Sequence, residues 1–120
     1  MPNNGDMTIG GDLDVTNSST GNISQIRICE GVNSSLNIAG NTSVINSGTG
    51  GSYKNIYLGL RAGITFNGTL DMTGSSNATY SAVYLNYYST SSNLYNGNIT
   101  VASTHADFDG YLFGYDNGSG

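Results

Sequence analysis

Tryptophan is absent from this sequence, proline and cysteine occur once each, and only 9% of the 120 residues carry a charge. A lone cysteine, Cys29, makes no internal disulfide, so no covalent staple holds the chain. Arg27, Lys54 and Arg61 are the whole basic complement against eight acidic residues, and the formal net charge is −5. Without a basic patch the chain has little with which to bind nucleic acid or an anionic membrane surface. No stretch approaches the ~18 consecutive apolar residues of a membrane-spanning helix. No secretory leader is recognisable, as expected of a mature chain or of a piece of a longer one. Gly, Asn, Ser and Thr make up just over half of the residues, so apolar mass is short for a compact globular core. One domain over residues 1–120 is the expectation at this length.

What is present is order of another kind. Disordered chains combine low hydrophobicity with higher charge and no register, whereas here the apolar residues recur at fixed intervals. The segment Ile9-Gly10-Gly11-Asp12-Leu13-Asp14-Val15-Thr16 returns as Phe66-Asn67-Gly68-Thr69-Leu70-Asp71-Met72-Thr73. Looser copies surround Gly40 and Gly97. The four marker glycines, Gly11, Gly40, Gly68 and Gly97, are spaced 29, 28 and 29 residues apart. Aligned on them, Met7, Leu36, Ile64 and Asn93 fall in one column, and Ile9, Ile38, Phe66 and Tyr95 in the next. After the glycine come Leu13, Thr42, Leu70 and Ile99, then Val15, Val44, Met72 and Val101.

Within each copy these residues alternate, which places them on one face of a strand. A third apolar pair follows: Ile26 with Ile28, Ile56 with Leu58, and Val83 with Leu85. In the fourth copy the pair is Leu112 with Gly114 or Tyr111 with Phe113. The second copy runs one residue late, which puts an insertion in the Asn46–Lys54 loop. Each repeat thus offers three short strands that cannot bury their own apolar pairs, whereas stacked repeats can. The expected fold is all-β: a β-solenoid, parallel β-helix-like, of about four coils of 28–29 residues, roughly 7–35, 36–63, 64–92 and 93–120.

The rival is an antiparallel meander, because Asn67-Gly68 and Asn96-Gly97 are hairpin signals. A two-residue turn at Asn67-Gly68 would pair Phe66 with Thr69 and send Leu70 and Met72 to the face opposite Ile64 and Phe66. A glycine-lined corner between solenoid faces suits all the copies better. No segment has helical periodicity with capping signals, so no terminal capping helix is expected.

Residues with chemical potential are few. His105-Ala106-Asp107-Phe108-Asp109-Gly110 resembles the start of a calcium loop, but a downstream bidentate carboxylate is missing and histidine suits calcium poorly. Asp107 and Asp109 are therefore the sole metal-ligand candidates, for calcium, and no cofactor is otherwise expected. Asp14 and Asp71 occupy equivalent outward positions two repeats apart. That is ~10 Å on strand spacing, beyond the usual catalytic separations. One histidine among ubiquitous serines makes no triad. No catalytic residue is assigned, and the chain is not expected to be an enzyme.

The tyrosines stand out more. The outward middle position of the third strand reads Arg27, Tyr57, Tyr84 and Phe113, with Tyr87, Tyr88 and Tyr95 not far along the chain. Such a column either stabilises the sheet or offers a contact surface to protein or sugar. Asn-X-Ser/Thr sequons begin at Asn17, Asn22, Asn33, Asn41, Asn67, Asn77, Asn98 and Asn117, all glycosylation candidates in a secreted protein. The last copy is rich in aromatic and aliphatic residues around Tyr111, Leu112 and Phe113, an apolar end that a soluble solenoid would normally cap.

Units such as Gly11-Asp12-Leu13-Asp14-Val15-Thr16 and Gly68-Thr69-Leu70-Asp71-Met72-Thr73 resemble the β-helix repeats of autotransporter passengers and archaeal adhesin-like surface proteins. Phage tail fibres carry similar runs. The resemblance implies an extracellular, structural or adhesive role and transfers no catalytic residue. Two readings follow. The first is a surface fibre, filament or sheath protein whose partners are other copies of itself, joined through Met7 and Ile9 at one end and Tyr111 and Leu112 at the other. The alternative is an adhesin or fibre module that binds glycans on a face bearing Tyr57, Tyr84 and Phe113.

Overall fold

A computed structural model describes residues 5–31, 33–59, 61–74, 78–85 and 93–103, together with the backbone of 108–112. Among the described residues there are twelve strands and no helix. The first repeat supplies β1 (Asp6–Ile9), β2 (Leu13–Asn17) and β3 (Ile26–Ile28), and the second β4 (Ser35–Ile38), β5 (Thr42–Asn46) and β6 (Ile56–Leu58). The third supplies β7 (Gly63–Phe66), β8 (Leu70–Gly74) and β9 (Ser81–Leu85), and the fourth β10 (Asn93–Tyr95), β11 (Ile99–Ser103) and β12 (Phe108–Leu112).

Each repeat gives one strand to each of three four-stranded sheets, in the orders β1-β4-β7-β10, β2-β5-β8-β11 and β3-β6-β9-β12. Every pairing between these strands is parallel. The hairpin alternative is therefore overturned at Asn67-Gly68 and Asn96-Gly97. The arrangement is consistent with a parallel β-helix-like stack.

The register is the one the apolar columns require. Ile9 pairs with Ile38, Ile38 with Phe66, and Phe66 with Tyr95. Leu13, Thr42, Leu70 and Ile99 line up in the second sheet, as do Val15, Val44, Met72 and Val101. Because alternate side chains of a strand share a face, these columns meet in one interior. The core comprises Leu36, Ile38, Val44, Ile56, Leu58, Ile64, Phe66, Leu70, Met72, Val83 and Leu85 with Ile26. All but Ile26 belong to the two middle repeats. Ile9, Leu13, Val15 and Ile28 of the first repeat, and Tyr95, Ile99 and Val101 of the fourth, are only partly buried against it.

The link between the second and third strands varies in length. Seven residues lead from Asn46 to Tyr53, against six from Asn17 to Ile23 and from Gly74 to Tyr80, which locates the one-residue insertion where the sequence put it. In the fourth repeat the link is shorter: seven residues lead from Ser103 to Gly110, against nine from Gly74 to Val83. Constant spacing had pointed to Leu112 with Gly114 or to Tyr111 with Phe113 as the apolar pair. The register instead aligns Gly110 with Val83 and Leu112 with Leu85.

Candidate functional site

The marker glycines define the corner between the first two sheets. A Cβ on Gly40 would lie 2.7 Å from the Gly11 carbonyl carbon, one on Gly68 would lie 2.6 Å from that of Gly40, and one on Gly97 would lie 2.5 Å from that of Gly68. Real Cβ atoms do not come this close. None of the marker glycines is among those with positive φ, which are Gly31, Gly50, Gly51 and Gly59. The column is glycine because the preceding repeat presses on it, not because the chain needs a left-handed turn there. At Gly11, by contrast, a Cβ would meet nothing within 4 Å among the described residues.

The same corner is bound by side chains that accept from the next repeat. Asp12 Oδ1 accepts from the Asn41 amide at 2.7 Å, and Asn41 Oδ1 accepts from the Thr69 amide at 3.0 Å. Two positions earlier, just before the marker glycine, Asn96 Nδ2 donates to Asn67 Oδ1 at 2.9 Å. The bonds to Asp12 and Asn41 satisfy backbone amides that a turn would otherwise leave to water.

Among the described residues no strand covers either end of the stack. At one, β1, β2 and β3 each have a neighbour on a single side, and at the other so do β10, β11 and β12. Met7 is 48% exposed and Ile23 63% exposed at the first end, while Leu94 is 52% exposed in the fourth repeat. Ile9 is half-buried. Tyr111 and Leu112 belong to β12, where only the backbone is described, and Phe113 lies outside the described residues.

The tyrosine column forms. Tyr57 and Tyr84 are in register with Arg27 and stack with centroids 4.7 Å apart and planes 3° from parallel. The Arg27 guanidinium lies 4.9 Å from the Tyr57 centroid, a cation–π contact. Arg27 also pairs with Glu30 at 2.8 Å, both about half exposed, so that ion pair adds little. The fourth place in the column is occupied by Tyr111, paired with Tyr84, and not by Phe113, because the fourth link is two residues short. Tyr87 and Tyr88 lie outside the described residues.

Tyr95 lies on the inner side, half-buried and stacked on Phe66 at 5.9 Å. Burial pushes its phenol from 10.0 up to about 12. A second outer column, Ile23, Tyr53 and Tyr80, went unread in the sequence. Tyr53 meets Tyr80 edge-on at 5.8 Å, and the Tyr80 hydroxyl reaches that of Tyr84 at 3.2 Å. Its signal was the recurrence of a large residue three places before Ile26, Ile56 and Val83.

The remaining candidates scatter. Asp14 and Asp71 are exposed in one column, separated by Ser43 and followed by Thr100. No group of three His, Cys, Asp or Glu side chains comes together among the described residues. Asp107 lies outside them, and Asp109 is described by its backbone alone. Cys29 is at a corner with φ 54°, and burial first, then the Asp6 carboxylate, raise its thiol pKa. Of the sequon asparagines, Asn22, Asn33, Asn41, Asn67 and Asn98 are exposed. Asn17 faces inward with its Nδ2 donated to Ser24 Oγ, and Asn67 Nδ2 is donated to Asn37 Oδ1 and the Ile38 carbonyl. Asn77 and Asn117 lie outside the described residues.

One buried residue has no counterpart in the sequence reading. Lys54 is fully buried at the corner where the second repeat carries its insertion. Its Nζ donates to the Gly21 carbonyl, and its stem passes 3.1 Å from where a Gly48 Cβ would lie. Nothing in the local pattern marks it, since its partners in the column are Ser24 and Ser81.

Compared with protein-family models, with curated proteins and with solved structures, the chain gives no match.

Proposed function

We propose that this chain is a β-solenoid of about four coils that serves as an extracellular structural protein, self-assembling into a fibre, filament or sheath through its two open ends. The observation that carries this reading is the pair of strand edges left unpaired among the described residues, each backed by a half-buried apolar ladder: Ile9, Leu13, Val15 and Ile28 at one end, and Tyr95, Ile99 and Val101 at the other. An open edge with apolar neighbours is a template for another strand. An edge at each end that fits the opposite end of a second copy is a heterologous contact, and such contacts run on as filaments or close into rings. A surface with so few charges opposes association weakly. The extracellular placement rests on the likeness of the repeats to those of surface adhesins and on the exposed sequons.

The glycan-binding alternative draws on the tyrosine column. Tyr57 and Tyr84 turn their ring faces to each other, and Arg27 covers the far side of Tyr57. Both faces of Tyr57 and one of Tyr84 are thus occupied, which favours lateral protein contact over sugar binding. Catalysis and a bound cofactor have no part in this reading.

Sedimentation velocity over a concentration series, with negative-stain microscopy of the same samples, tests it. Elongated particles that lengthen with concentration are expected. A protein that remains single at every concentration and binds an immobilised glycan would overturn the structural reading in favour of the adhesin.

A further inference from the structure

We propose that copies join end to end in one register: the first coil of one molecule stacks on the fourth coil of the next, so that Gly11 continues the glycine column beyond Gly97. This rests on the self-assembly reading above and specifies its joint.

Three observations carry it. The first is the glycine itself. At Gly40, Gly68 and Gly97 the absence of a Cβ is what lets the preceding repeat approach, whereas at Gly11 a Cβ would meet nothing within 4 Å among the described residues. Gly11 therefore has the clearance of a stacked repeat without a described repeat to clear. A fourth coil from a second copy fills that space with the Gly97 carbonyl.

The second is the direction of the hydrogen bonds. Ala39, Gly40 and Asn41 donate to the Ile9 carbonyl, the Gly11 carbonyl and Asp12 Oδ1 of the repeat before them, at 2.9, 3.0 and 2.7 Å. The equivalent amides of the first repeat, on Gly10, Gly11 and Asp12, have no earlier described repeat to donate to. In the proposed joint they meet the Tyr95 carbonyl, the Gly97 carbonyl and Asn98 Oδ1 of the neighbour.

The third is charge. The outward column runs Asp14, Ser43, Asp71, Thr100, acid alternating with hydroxyl. Setting Asp14 of a second copy after Thr100 continues that alternation with no carboxylate facing a carboxylate. Asp12 likewise comes to rest on Asn98. In the third sheet the incoming Arg27 takes the place next to Tyr111, as Arg27 stands next to Tyr57 within the chain. Two first coils meeting each other would instead run antiparallel and stop at a dimer. A joint of four-coil units advances ~19 Å per copy at the ~4.8 Å strand spacing.

The test uses the full-length protein made without glycosylation. Gly11→Ala is expected to melt like the wild type when dilute, because its methyl enters open space, yet to need a ~10-fold to ~100-fold higher concentration to form rods. Gly40→Ala is expected to melt lower, since the same methyl there strikes the chain's own backbone. Asn98→Asp should weaken rods at low salt, with recovery in high salt or on adding Asp12→Asn. Unchanged rods from both Gly11→Ala and Asn98→Asp would overturn the register and leave self-assembly standing. Assembly that halts at a dimer would overturn the head-to-tail joint, and a wild type that never assembles would overturn both readings. If Gly11→Ala melts as low as Gly40→Ala, the Asn98→Asp pair decides: salt-reversible weakening supports the joint and no effect overturns it.

Discussion

Tyr57 and Tyr84, 27 residues apart in the chain, hold their rings 4.7 Å apart and 3° from parallel. That separation is close to the ~4.8 Å between neighbouring strands, so the sheet itself sets the stack. Tyr84 also shares a hydrogen bond with Tyr80, and Tyr57 accepts one from Asn55 Nδ2 at 3.1 Å. Tyr84→Ala is expected to lower stability by ~1–2 kcal/mol. In urea titrations, the loss from Tyr84→Ala combined with Tyr57→Ala should be smaller than the two single losses added, since either change abolishes the shared stack.

Thr42 stands in an otherwise aliphatic column, between Leu13 and Leu70. It is 1% exposed, and its Oγ1 has no hydrogen-bond partner among the described residues. A buried hydroxyl without a partner costs free energy that a methyl of similar shape does not. Thr42→Val is expected to stabilise the protein by ~1 kcal/mol. A drop in the urea midpoint would show that the hydroxyl is satisfied.

Gly68 is pressed by the backbone of Gly40, so a methyl there must push two repeats apart. Gly68→Ala is expected to cost ~1–3 kcal/mol, in the manner of an overpacked core. The gain that a glycine-to-alanine change brings by restricting the unfolded chain, at most ~1 kcal/mol, is too small to offset it. Thermal melting of the variant beside wild type is the measurement, and an unchanged midpoint would refute the close approach.

The raised phenol of Tyr95 makes stability depend on alkaline pH. Below its unfolded value of 10.0 the ring is neutral in both states, so its contribution is intact. As pH rises from 10.0 towards about 12, the unfolded chain ionises first and the contribution is lost. Tyr95→Phe should flatten that part of the pH–stability curve. The difference in phenolate absorbance between the two proteins should also show one tyrosine titrating late.

The three-strand repeat and its register were legible because side chains alternate along a strand and the glycines mark the phase. Ile9 over Ile38 over Phe66 could be written down from the sequence alone. The role of the glycines could not, since a contact with the preceding repeat leaves the same mark as a permissive turn. The Tyr111-for-Phe113 exchange was hidden in the length of a link, which periodicity assumes constant. Lys54 was hidden for a different reason. Its stem passes close to Gly48 and its amine reaches a carbonyl from Gly21, and neither contact has a local signature.

Lys54 is the only lysine in the chain, with Arg27 and Arg61 the only arginines. Proteases that cleave after basic residues therefore have three addresses. Lys54 lies fully inside, and Arg27 lies within a paired strand. Arg61, exposed at a corner with φ 63°, is the remaining one. Cleavage needs an accessible, locally extendable segment, so digestion of the folded chain by such enzymes should begin after Arg61 and proceed slowly elsewhere. The burial of one amine thus removes one of three cleavage sites and leaves the lysine hard to label or crosslink.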